Sequence, residues 1–266
     1  MVTRPDLVRT NALFQAACRA RGLDCVVIVP GATQGVSLPA DRPRLLYRAA
    51  TDWGARLVEQ LLARPGDALL HEPGFICAHQ GIQLRQAGLP VARTVYLPNE
   101  DPEGLAAQAA WLGGYPVVVK RPGTEGGAGV SLAQSLDELT TQMSVAPSGT
   151  QIEAFVPHIR CWRLTVLGAR VLAATASIAA EDDFRTNAAG SREDPDATLP
   201  QGASEVAIQA VTALRLDFGG VDLMEGEDGA LTIAEVNFPC YFAQQQDLTG
   251  IDIAGAVLDY LCAKHA

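Results

Sequence analysis

The sequence predicts an α/β chain whose helices and sheets sort into lobes (α+β), and three observations predict it. Amphipathic helical stretches alternate with short apolar runs from the start of the chain. A β-branched run, Tyr115 to Lys120, opens into the most glycine-dense stretch, Gly123 to Val130. Near the C-terminus, Asp228-Gly229 lies between two apolar runs, a strong hairpin signal. At 266 residues, the chain can bury a sizeable core as one large domain or two or three small lobes.

In order, residues 5–22 read as a helix with Leu7, Leu13, Phe14, Ala17 and Cys18 near one face and Gly22 as its stop. Cys25 to Pro30 is wholly apolar, as buried strands are. Residues 31–44 carry Gly, Pro and Asp and read as a loop. Leu45–Tyr47 and Ala68–Leu70 read as short strands on either side of a helix over Thr51–Ala63. Cys77–Gln86 is helical up to Gly88, Pro90–Leu97 extended, and Pro102–Leu112 a helix opened by proline. Ser135–Met143 is a helix with an acidic start, Thr150–Val156 a strand, and Leu164–Ala174 two strands turning at Gly168-Ala169. Residues 181–202 form a loop long enough to be functional. Ser204 caps a helix to Leu214, two strands follow, and Ile251–Ala263 closes the chain as a helix.

Composition excludes several classes of function. Twenty basic against thirty acidic residues give a formal charge of −10, and only Lys120 and Lys264 are lysines. Nucleic acid and membrane surfaces both ask for a positive field, so neither is an expected partner. No apolar run reaches the roughly 18 residues of a membrane helix, and the first ten residues lack an apolar stretch behind their charges. The cytoplasm is therefore the expected location. The cysteines form no C-x-x-C pair and the histidines no H-x-x-x-H pair, so neither a zinc nor a thioredoxin-like site is indicated.

Counting pairs outward from an Asp228-Gly229 turn sets Asp222 opposite Glu235, and Asn237 points to the same face. Such a patch is either a solvated sheet face or a hard-oxygen site for Mg²⁺. Flanking Val221, Leu223, Ile233 and Val236 imply burial on at least one side. Facing carboxylates repel unless a cation lies between them. Upstream, Lys120 ends its strand directly before the glycine loop, where it can reach a phosphate while backbone N–H groups converge on the anion. The loop is neither a Walker A nor a G-x-G-x-x-G sequence, and alone it reads equally as a surface hairpin. A phosphate cradle together with a metal patch implies a nucleotide.

In this order, the motifs resemble the ATP-grasp superfamily and its RimK-like glutamate-ligase branch. The resemblance runs over roughly residues 75–262. It is carried by Ala87-Gly-Leu-Pro-Val91, the Lys120 strand with Gly123–Val130, Ile152-Glu-Ala-Phe-Val156, Arg163 before Leu-Thr-Val-Leu-Gly168, Asp183-Phe-Arg-Thr-Asn187, Gly220-Val-Asp222, Glu235-Val-Asn237 and Thr249–Ala254. The implied fold has two α/β lobes clasping ATP behind a short α/β lobe. The lobes would span 1–75, then 76–155 as the lid with the glycine loop, then 156–266 with the Mg²⁺ site. The resemblance implies that Lys120, with Gly126, Gly127 and Gly129, holds ATP phosphates. Glu153 and Val156 would flank the adenine and ribose, and Asp222, Glu235 and Asn237 would bind Mg²⁺, with Mn²⁺ as the alternative ion. Arg163 and Arg185, assisted by Asn187, would meet the γ-phosphate, the acyl phosphate or the acceptor carboxylate.

The implied activity is ATP-driven activation of a carboxylate to an acyl phosphate and attack by an amine. The substrate would be an amino acid, a small peptide or a peptide terminus, and a homodimer is among the assemblies allowed. Phosphoryl transfer rests on positioning and charge neutralisation, so lysine, arginine and Mg²⁺ suffice without a covalent nucleophile. Arg160, Arg170 and Lys264 read as surface charges.

The sequence also departs from the family pattern. A D-K pair usual before A-G-[IL]-P is replaced by Phe75-Ile-Cys-Ala-His79, leaving His79 or Arg85 as stand-ins for the missing lysine. Asp-Ile-Arg becomes Cys161-Trp162-Arg163, and the small residues usual after Asn237 become Phe238-Pro-Cys-Tyr-Phe-Ala-Gln-Gln-Gln246. Two rival readings follow from these departures: an ATP-binding module without turnover, and a small-metabolite kinase, told apart by the mass of the product.

Overall fold

The computed structural model describes residues 1–31, 44–75, 79–99, 101–123, 127–181, 183–186 and 190–265. Two antiparallel sheets organise the chain. The smaller takes β1 (Thr94–Val95), β2 (Val117–Lys120), β3 (Val130–Ala133) and β4 (Gln151–Ala154) in the order β1-β4-β2-β3. Val117, Val119 and Ile152 turn inward and are fully buried against Leu105, Ala109 and Leu112 of α4 (Pro102–Leu112) and Leu139 of α5 (Leu136–Ser144). Alternation then sends Val118 and Lys120 to the opposite face. Both helices are fixed at their starts: Asp101 accepts from Gly104 N at 2.8 Å, and Ser135 accepts from Glu138 N at 3.3 Å.

The larger sheet runs β7-β6-β5-β8-β9, with β5 (Arg160–Leu167), β6 (Arg170–Ile178), β7 (Arg192–Glu193), β8 (Phe218–Glu225) and β9 (Leu231–Asn237). One face buries Leu164, Val166, Val221 and Leu223 against the alanine-rich side of α6 (Ala203–Ala213), where Ala203, Ala207 and Ala210 let the helix approach closely. The other face looks into the cleft between the sheets. α7 (Ala243–Thr249) covers one end of it, and α8 (Ile253–His265) lies along α1 (Val8–Ala20), where Arg21 grips Asp259 at 2.6 Å. α3 (Gln80–Gln86) rests on α6 and β9. Among the described residues no helix is long and apolar enough to cross a membrane.

Helices α1, α3, α4 and α5, strand β2 and the β5–β6 turn stand close to where the sequence sets them. The 31–44 loop, the start of the Cys77–Gln86 helix and Ile76 to Ala78 lie mostly outside the described residues. The apolar run Cys25–Pro30 is not a strand: only Ile28 bridges, to Val2, and Val26 is 37% exposed. Leu45–Tyr47 and Ala68–Leu70 likewise shrink to one parallel bridge, Leu45 to Ala68, although Leu46, Tyr47 and Leu70 are buried. Apolar content predicts their burial, but a ladder also needs a long partner, and none is at hand.

Ser204 is not a cap, because Gly202 at φ +82° starts α6 and Ser204 falls inside it. α7, rich in glutamine, was not anticipated. Lys264 is exposed as expected but not free: it pairs with Asp217 and donates to the Leu69 carbonyl at 2.8 Å, tying α8 to the N-terminal segment. Arg160 is no free surface charge either, contacting Asp194 at 3.3 Å and Glu225 at 3.5 Å, whereas Arg170 is exposed.

The N-terminal segment meets the larger sheet through a buried ionic cluster. Arg48 on one side and His71 on the other contact Glu59 of α2 (Trp53–Leu62), each at 2.9 Å. The side chains are at most 1% exposed. The His71 contact is a close approach rather than a hydrogen bond. Arg48 also donates to the Ala50 and Phe75 carbonyls at 2.9 and 2.8 Å, and its guanidinium lies 5.3 Å over Phe238.

Candidate active site

Asp222, Glu235 and Asn237 do gather in one patch, but by a route the sequence did not show. The hairpin turn is not the two-residue Asp228-Gly229. Glu225 pairs with Leu231 and Gly226 N donates to Ala230 O at 2.9 Å, so three residues, Glu227 to Gly229, make the loop. Gly229 takes φ +77°, as the last position of such a loop requires. That register would set Asp222 opposite Ala234. A bulge after Leu223 and Ile233 adds one residue to β9 and restores the pairing Asp222 to Glu235. Ala234 and Glu235 consequently both line the cleft.

Reading across the strands at one level, Thr175, Arg163, Asp222 and Glu235 form a row over β6, β5, β8 and β9. Arg163 holds Asp222 with two N–H groups, the Nη2 to Oδ2 distance being 2.8 Å. The Asn237 amide reaches both carboxylates, Glu235 at 2.9 Å and Asp222 at 3.3 Å. These contacts resolve the repulsion that two facing carboxylates imply. Burial drives the Asp222 carboxyl up to about 6, against the opposing pull of Arg163. Burial also disfavours charge on Arg163, but Asp222 outweighs it and keeps the guanidinium protonated. Two carboxylates and an amide are the oxygen donors that Mg²⁺ accepts alongside phosphate oxygens, so the residues fit the ion. Among the described residues no group of three or more His, Cys, Asp or Glu is placed to hold a metal, here or elsewhere, so the Asn237 amide has to supply the third donor.

Space around Arg163 is made by glycine. A Cβ at Gly220 would lie 2.7 Å from Cys240 Sγ and 3.4 Å from Arg163 Cδ. Gly220→Ala is therefore expected to push Cys240 aside, disturb the Arg163 it packs beside, and lower turnover about 10- to 100-fold, the scale of a 1 Å misplacement at a reacting centre. Steady-state kinetics beside a thermal melt would separate this from a loss of folding.

Facing this row across the cleft is the smaller sheet. Lys120 Nζ sits 2.6 Å from Glu153 Oε2, both partly buried. Val118, Lys120, Glu153, Phe155 and Val156 line a cleft of about 460 Å³ together with Arg163, Arg185, Asp222 and Glu235. The Arg185 guanidinium is held by Asp183 at 2.8 Å and donates to the Gly127 carbonyl at 2.9 Å, linking the 183–186 segment to the glycine loop. Gly129 continues that loop by accepting from Arg121 N at 2.9 Å. Gly126 and Asn187 lie outside the described residues. A smaller adjoining cavity of about 210 Å³ shares Lys120, Glu153 and Glu235. Of the two stand-ins for the missing lysine, His79 lines this cavity, whereas Arg85 is turned onto the Ala92 carbonyl at 2.6 Å.

Several cleft residues escaped the sequence reading. Gln245 is 4% exposed and clamps the back of the row: its amide donates to Arg163 O at 2.8 Å and Thr175 Oγ1 at 3.2 Å and accepts from Thr165 Oγ1 at 2.5 Å. Gln244 and Leu248, four residues apart on α7, and Tyr241 just before the helix line the same side of the cleft. The only sequence signal for them was that residues 238–246 depart from the family pattern. Cys161 also lines the cleft, but burial pushes its thiol up to about 12, so it stays protonated.

Comparisons with known proteins bear on the family and the fold. Over 229 residues the chain is 30% identical to a probable alpha-L-glutamate ligase of Xanthomonas oryzae pv. oryzae, covering 80% of this chain and 74% of the relative. A probable alpha-L-glutamate ligase of Rhodopirellula baltica is 29% identical over 190 residues, and there the match spans 46% of the relative's length. The fold superposes on the ATP-grasp ligase PsnB bound to a minimal precursor with a TM-score of 0.73 and 21% identity, over 99% of this chain and 98% of that one. PsnB is also known with Mg and ADP bound. The RimK-like ATP-grasp domain model matches residues 80–261, and the chain belongs to this family of ATP-grasp ligases.

Proposed function

We propose that the protein is an ATP- and Mg²⁺-dependent carboxylate–amine ligase acting through an acyl phosphate on an amino acid, a small peptide or a peptide terminus. The observation that carries the reading is the row Arg163–Asp222–Glu235, completed by Asn237, facing Lys120 across one cleft. Asp222, Glu235 and the Asn237 amide would hold Mg²⁺, or Mn²⁺, which takes the same donors. The ion would supply neutralising charge to the phosphates. Lys120, with the backbone of Gly127 and Gly129, would hold phosphate oxygens, and Glu153 and Val156 would border the nucleoside. Residues 76–155 and 156–266 would act as the two jaws behind a 1–75 lobe, in the cytoplasm where ATP is supplied.

A carboxylate oxygen of the donor attacks the γ-phosphorus and ADP leaves. The amine nitrogen then attacks the acyl carbon, phosphate leaves with that donor oxygen, and the amine's proton passes to phosphate or water. Arg163 and Arg185, which line the same cleft, would neutralise the charge of the transferring group. No cysteine takes part, consistent with the protonated Cys161. The test is incubation with ATP, Mg²⁺ and pooled amino acids and dipeptides. ADP, phosphate and a condensation product are expected; AMP, or a phosphorylated metabolite, would refute the reading.

A further inference from the structure

The edge of the cleft away from β9 is built differently from the metal row. Arg192 and Glu193 form β7, with Glu193 paired to Ser177 of β6. Three strand spacings set the β7 and β8 backbones roughly 14 Å apart, so Glu193 and Asp222 line opposite ends of one cleft and their side chains narrow the gap. α7 closes the corner: Gln244 Nε2 donates to Glu193 Oε1 at 3.1 Å. Tyr241 and Leu248, 37% and 54% exposed, line the cleft beside it.

The charges here are distributed unevenly. Among the described residues lining the cleft, Lys120 is held by Glu153, Arg163 by Asp222, and Arg185 by Asp183. Arg192, exposed, has no carboxylate partner among the described residues. Glu193 is exposed and accepts from Gln244, with no cation paired to it among the described residues; desolvation pushes its carboxyl up. Residues 238–249 contain one charged side chain, Asp247, and it is tied away from the cleft to Arg9 of α1.

We propose, resting on the ligase reading, that this corner is the amine-substrate subsite and takes a free α-amino acid with an uncharged, largely apolar side chain. Arg192 receives the α-carboxylate, Glu193 the α-ammonium, and Tyr241 with Leu248 the side chain. The curated relatives carry glutamate in their names. Glutamate would bring a second carboxylate against the neutral wall of α7, and the cleft offers it no second unengaged cation among the described residues. An unpaired carboxylate is desolvated there without compensation.

The experiment is calorimetric titration of the full chain, loaded with Mg²⁺ and a non-hydrolysable ATP analogue, with leucine, phenylalanine or glutamate. Leucine or phenylalanine is expected to bind at least tenfold more tightly than glutamate. Leu248→Arg, at a half-exposed position, should reverse that preference at least tenfold, and Arg192→Gln should abolish binding of all three. Glutamate binding as tightly as leucine, or an unchanged order in Leu248→Arg, would overturn the proposal. So would absence of amino-acid binding to the nucleotide-loaded protein. Failure of the analogue itself to bind, read before any amino acid is added, would instead sink the nucleotide reading and this inference with it.

Discussion

Asp222→Asn is expected to lower kcat/KM by at least about 100-fold, or about 2.7 kcal/mol of transition-state stabilisation. The side chain stands at the centre of the row: Arg163 holds it from β5, Asn237 reaches it from β9, and Glu235 faces it. An amide keeps the shape and removes the charge on which both the cation site and Arg163 depend. The fold should tolerate the exchange better than the chemistry does. Burial already works against this carboxylate, raising it to about 6, so the neutral amide avoids a desolvation cost that the ionised acid bears. The check is steady-state kinetics beside a thermal melt, with a large loss of rate and a shift of only a few degrees. Full activity in Asp222→Asn would mean that the row is structural.

The largest effect on stability is expected at Glu59. Glu59→Gln should destabilise the protein by about 3–5 kcal/mol, because it leaves Arg48 buried without its counter-charge. Replacing the pair together, as Arg48→Met with Glu59→Leu, should recover much of that loss, since apolar residues of similar volume often substitute for buried ion pairs. Burial by itself would raise the Glu59 pKa, but His71, Arg48 and the Gly74 N–H together outweigh it and hold it below its ordinary 4.5. A carboxylate so depressed contributes stability that is complete above that ordinary value and is lost as pH falls through the folded one. Acid titration of the melting temperature should thus show a decline below about pH 4.5 that is blunted in Glu59→Gln. Equal melting temperatures for the parent and Glu59→Gln at neutral pH would contradict the assignment.

Neither the ionic cluster nor the rim of the cleft was legible in the sequence, for different reasons. Arg48, Glu59 and His71 stand 11 and 12 residues apart, and tertiary packing of the N-terminal segment brings them together. Local patterning carries no trace of that. The α7 wall was hidden because a run of glutamines has no apolar stripe; its helix is fixed by tertiary bonds from Gln245. Local chemistry, by contrast, placed Lys120 at the end of its strand, the acidic start of α5 and the proline-opened start of α4.

The pairing of Asp222 with Glu235 came out right through two errors that cancel. The turn is one residue longer than the two-residue hairpin, and β9 carries one extra residue in a bulge. Glycine chemistry predicts a turn at 228–229 but not which of two loop lengths closes it, and nothing local marks a bulge at Ala234. The partner of Arg163 was equally out of reach, because register between β5 and β8 is set by strands far apart in sequence.

The most direct test of the ligase mechanism is isotopic. With a donor labelled with ¹⁸O in its carboxylate, each turnover with ATP, Mg²⁺ and the amine should place one ¹⁸O in the released phosphate and yield ADP with an amide product. Unlabelled phosphate, or AMP and pyrophosphate in its place, would show that no acyl phosphate forms in the cleft between Lys120 and Asp222.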